Sequence, residues 1–128
     1  MVSQKILLPQ EIETFYVIPT IRKYLALYMK ELGMKQKDIA EIMRINTAAI
    51  SQYTSKKRGN KVSFGKEIRD EIRESAGRVV DTQTYIQETQ RLLRLIRNSC
   101  TLCEIQKKYS DMSMGCEPKI MNCKEEGM

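Results

Sequence analysis

The residues of this chain best suited to chemistry are its four cysteines, spaced Cys100-x2-Cys103-x12-Cys116-x6-Cys123. Thiolates are soft ligands, and four of them complete a tetrahedral zinc site or hold an iron–sulfur cluster. Cys100 and Cys103 stand three apart, so on a helix they share a face. Gly115 and Pro118 bracket Cys116 and let the backbone wrap around a bound centre. Structural zinc favours two tight C-x2-C pairs, and the x6 gap fits that habit poorly. An iron–sulfur cluster of the 4Fe-4S or 2Fe-2S type is therefore the favoured cofactor. Zinc is the alternative, followed by a thiol–disulfide switch and by unrelated free cysteines. Histidine is absent, which removes mixed Cys/His zinc sites. The methionines nearby (Met112, Met114, Met121) are read as packing residues.

A second set of residues has the types and spacing to read a nucleic acid. From Met34 to Ser55 the pattern is two short helices with a tight connection. Ile39 and Met43 face inward from the first helix, Ala40 is small enough for a helix crossing, and Ile45 plugs the turn. Ile50 and Tyr53 anchor the second helix, and Thr47 suits its N-cap or first turn. Thr47, Ala48, Ser51, Gln52 and Ser55 are then left facing away from the core. Glutamine can pair with adenine, hydroxyls serve several bases, and the Ala48 methyl can meet a thymine methyl. Gln36, opening the first helix, can bond a phosphate or brace the second helix. Lys35, Lys37, Lys56, Lys57, Arg58 and Lys61 flank the pair and suit backbone phosphates, which position a protein without reading sequence.

The stretch MKQKDIAEIMRINTAAISQYTSKKRG resembles the phage-repressor (Cro-like, XRE) helix-turn-helix family, carried by the pattern Gln36-x3-Ala40 with Ile50 and Tyr53 beyond it. Joined to YVIPTIRKYLALYMKELG, it resembles small archaeal and bacterial regulators of that class over roughly residues 10–80. The resemblance implies a duplex-DNA-binding transcription regulator. One position departs, because the turn usually carries glycine where this chain has Arg44. A left-handed backbone there costs ~1 kcal/mol with a side chain present.

The elements that must position these groups read as helical. Gly and Pro are sparse, and apolar residues recur at helical spacing. One helix is expected from about Pro9 into Phe15, and a second from near Pro19 to Leu32, closed by Gly33. Phe64 to Ala76 forms another, with Gly77 as a break. Asp81 or Thr82 caps a further helix whose stripe is Tyr85, Ile86, Leu92, Leu93, Leu95 and Ile96. Charge divides the chain: residues 1–80 hold 15 Lys/Arg against 9 Asp/Glu, and residues 81–128 hold 7 against 7. All the net +6 thus sits in residues 1–80, as expected if that part meets a polyanion.

The expected fold is all-α: a helical bundle with a helix-turn-helix at 1–78, then a helix and a cysteine-bound segment at 79–128. Such modules usually act as homodimers on half-sites about one DNA turn (~34 Å) apart. The stripe from Tyr85 to Ile96, with the Ile6 to Phe15 region, can make the subunit contact or cover the chain's own core. Without histidine there is no His-based acid–base or triad chemistry, and no phosphate-cradling glycine loop is present. An enzyme is therefore not expected; the enzymatic alternative is a cysteine-based sulfur-transfer or redox catalyst. No apolar run reaches the ~18 residues of a membrane span. MVSQKILLPQ lacks the features of a secretory signal. The expected location is the cytoplasm, with no membrane partner.

Overall fold

The computed structural model describes residues 8–55, 64–99, 101 and 105. The expectations on Ile6, on Lys56, Lys57, Arg58 and Lys61, and on Cys100, Cys103, Cys116 and Cys123 lie outside these residues. The fold is all-α, and the described residues contain no strand.

The chain enters at α1 (Pro9–Ile12) and passes through a π turn (Glu13–Val17) into α2 (Ile18–Glu31). Two separate helices were expected, but the backbone stays helical throughout. Pro19 has no N–H to donate, and its ring crowds the carbonyl four residues back. The wider turn just before it, closed by an Ile18 N–H bond to the Glu13 carbonyl, makes room without breaking the helix. Gly33, at φ +96°, ends α2 as expected. Its N–H bonds the Lys30 carbonyl and the Met34 N–H bonds Met29, the paired closure that a left-handed residue permits.

Next come α3 (Gln36–Met43), α4 (Thr47–Thr54), α5 (Lys66–Arg78) and α6 (Thr82–Asn98). Helix α5 runs through Gly77, where a break was expected, and stops at Val79, which is buried and has an extended backbone. Of the two expected caps for α6, Asp81 serves: its carboxylate accepts the Thr84 N–H at 2.8 Å.

Helix α2 is the centre of the molecule. Ile21, Leu25, Ala26 and Met29 are fully buried, with α4 and α5 packed against it. The stripe on α6 splits. Leu92, Leu93, Ile96 and Tyr85 join the same core as Ile12 and Ile21, whereas Ile86 is exposed and Leu95 is half-buried. The expected division at residue 78 falls between two helices that share one core. Ile105, two positions past Cys103, is buried in that core as well. No helix among the described residues is long and apolar enough to cross a membrane.

Candidate nucleic-acid interface

Helices α3 and α4 are joined by three residues, Arg44 to Asn46. So short a link between helices needs one left-handed residue, and Arg44 takes that conformation at φ 57°, ψ 41°. The Ile45 N–H bonds back to the Ala40 carbonyl at 3.1 Å, which closes α3 and directs the chain into α4. Asn46 caps α4, its side-chain oxygen accepting the Ala49 N–H at 2.8 Å. Thr47 is the first helical residue, not the cap. The signal was present in the sequence, since asparagine ahead of Thr-Ala-Ala-Ile is as good a cap as threonine.

Apolar anchors set the pose of the pair. Ile39 and Ile50 are fully buried, and Ala40, Met43, Ala49 and Tyr53 nearly so. Burying one such isoleucine stabilises the arrangement by ~1.5–3 kcal/mol. A polar brace adds to this. The Gln36 amide donates to the Thr47 carbonyl at 3.3 Å and to the Ser51 hydroxyl oxygen. One such bond is worth about 1 kcal/mol, so the anchors fix α4 and the brace trims its position. Of the two roles open to Gln36, bracing is the one its contacts show. Ser51 accepts from Gln36 and keeps its own hydroxyl proton to donate.

The face opposite the anchors presents Thr47, Ala48, Ser51 and Ser55, all exposed. They recur at helical spacing along a helix of eight residues, about 12 Å long and close to the width of the DNA major groove. Gln52 differs from its sequence assignment. It is half-buried, and its Oε1 is covered with no hydrogen-bond partner among the described residues. With its Oε1 covered, only the Nε2 end of the amide is left to reach outward. Lys35 and Lys37 are exposed on either side of Gln36.

Sequence reasoning missed the support behind α4. The Arg22 Nε donates to the Tyr85 hydroxyl at 3.4 Å, and the Tyr53 hydroxyl also favours the charge on this guanidinium. Burial disfavours the Arg22 charge, but these tyrosine oxygens offset that and hold the group charged. No local pattern announces a contact between residues 22, 53 and 85. The described residues contain no group of three His, Cys, Asp or Glu placed to hold a metal.

No protein-family model matches this chain, and no curated protein or solved structure does either.

Proposed function

We propose that this protein is a sequence-specific DNA-binding transcription regulator that inserts α4 into the major groove of duplex DNA. The observation that carries this is the α4 face of Thr47, Ala48, Ser51 and Ser55, exposed while Ile50 and Tyr53 anchor the opposite side. A helix serving only a bundle has no need for Gln36 to hold its outward Ser51. Lys56, Lys57 and Arg58 follow α4 directly in the chain and supply charge for phosphates. The protein acts as a homodimer on paired half-sites, as such modules usually do.

Cys100, Cys103, Cys116 and Cys123 hold an iron–sulfur cluster, through which DNA binding responds to redox, iron or oxygen state. The support is the chemistry of the donor set: four soft thiols, no histidine, and irregular spacing. When bound, the cluster supplies a charge and a redox state at the end of α6.

Salt titration of DNA binding tests the interface. The Lys56→Ala/Lys57→Ala/Arg58→Ala protein should bind every duplex more weakly, and its salt slope should fall by ~1 for each phosphate contact removed. An unchanged slope would move the DNA contact elsewhere on the molecule.

A further inference from the structure

The polar groups of α4 differ in what their neighbours leave free. A helical hydroxyl usually donates back to the carbonyl four residues earlier, as Thr54 does to Ile50 at 3.0 Å. For Ser51 that carbonyl belongs to Thr47, and it is full. One lone pair takes the helix bond from the Ser51 N–H, and the other takes the Gln36 amide at 3.3 Å. The same Gln36 nitrogen donates to the Ser51 hydroxyl oxygen. Gln36 thus occupies both places to which the Ser51 hydroxyl would otherwise turn. Among the described residues the hydroxyl proton has no acceptor, and Ser51 is exposed. Its free function is that proton.

Gln52, the next residue, is left with the same polarity. Its Oε1 is covered without a partner among the described residues, so the Nε2 end is the one that reaches outward. Turning the amide over would bury two N–H donors in place of one carbonyl oxygen, and buried orphan donors are the rarer and costlier case. Ser55 is the opposite of Ser51: its hydroxyl donates to the Gln52 carbonyl at 3.4 Å, so its proton is already spent.

We infer that Gln36 makes the centre of α4 a donor-only surface, Ser51 Oγ–H beside Gln52 Nε2–H, and that the base this surface reads is guanine. Pairing with adenine takes both ends of a glutamine amide, because adenine presents N7 as acceptor and an amino group as donor. Gln52 has one end to give. Cytosine presents an amino donor, and thymine a single acceptor beside its methyl group. Guanine alone has two neighbouring acceptors, N7 and O6. The adenine expected from the glutamine side chain by itself is therefore replaced by guanine. This rests on the proposed function, since the polarity of α4 selects a base only if α4 enters the groove. Ser51 and Gln52 are the specificity-determining residues, and Gln36 is a positioning residue that sets their polarity.

The test is selection of duplexes from a random library by the full chain, followed by base substitution. The position whose preference is lost in Ser51→Ala/Gln52→Ala should carry guanine in the wild-type selection. Replacing that guanine by 7-deazaguanine removes the N7 acceptor; it should weaken wild type about tenfold and the double variant less than about twofold. Gln36→Leu frees the Thr47 carbonyl for the Ser51 proton and should cut the preference for guanine about fivefold. Adenine or cytosine at that position, or indifference of wild type to 7-deazaguanine, would overturn the inference and leave DNA binding through α4 standing. An equal loss on all duplexes in Gln36→Leu, with the guanine preference intact, would overturn the part given to Gln36. Failure of wild type to select any sequence would refute the proposed function, and this inference with it.

Discussion

At Arg44 a single backbone angle decides how α3 meets α4. Its left-handed conformation is the one glycine adopts freely, and a side chain there costs ~1 kcal/mol. Arg44→Gly relieves that strain but gives up the 3.3 Å bond from Arg44 to the Thr82 hydroxyl, so it should change the unfolding free energy by less than ~1 kcal/mol. Arg44→Val, β-branched at the same angle, should lose more than 1 kcal/mol. Urea denaturation of the two proteins checks this, and a glycine variant no more stable than the valine variant would contradict it. That strained position was legible through the resemblance, which puts glycine at this place in the turn where the chain has Arg44. The inward residues Ile39, Ala40, Met43, Ile50 and Tyr53 were legible for another reason: helical spacing fixes which side chains share a face. The pose of Gln52 was not, since a long flexible side chain at the edge of a face can turn either way. Its covered Oε1 is settled by neighbours that spacing does not reveal.

Two carboxylates serve α6: Asp81 caps its start and Glu88 ties it to α5. Hydrogen bonds from the Thr84 backbone and hydroxyl keep the Asp81 carboxyl below its usual range. Burial works against the Glu88 charge, but bonds from Ser75, Arg91 and Arg78 outweigh it and lower that group too. A carboxyl whose folded pKa is depressed stabilises the fold above its unfolded pKa, and that stability is lost as pH falls through the folded value. Both groups therefore make the fold weaken below about pH 4, where unfolded carboxyls take up protons. Asp81→Asn keeps an uncharged cap of equal quality, so it should leave the neutral-pH melting temperature almost unchanged and flatten its fall on acidification. A pH series of thermal melts decides the point; an equally steep acid fall in Asp81→Asn would remove the cap from the explanation. Asp81 was readable as a cap because the chemistry is local. The joining of α1 to α2 was not, because a proline usually marks a helix start, and here a π turn absorbs it.

For the molecule as a whole, one core extends from Ile12 to Ile105 and draws on each helix from α1 to α6. The Tyr85–Ile96 stripe is used mainly within the chain, with Leu92 and Ile96 buried against the earlier helices. Periodicity marked the stripe as apolar, but it does not say which surface an apolar face will meet. Since Ile12 to Ile96 already pack together as a core, ligand loss should spare the helices. Each single Cys→Ser variant should lose most of its bound metal, by metal analysis and visible absorbance, while far-UV circular dichroism stays near wild type. Metal content near wild type in Cys116→Ser or Cys123→Ser would rule out four-cysteine ligation. The claim on which the account turns is that α4 reads bases. Its most direct test is the affinity of wild type, Ser51→Ala and Gln52→Ala for a duplex selected from a random library, set against random-sequence DNA. The account predicts losses of ~1–3 kcal/mol on the selected duplex and almost none on random DNA. Equal losses on both, or no sequence preference in the wild-type protein, would contradict it.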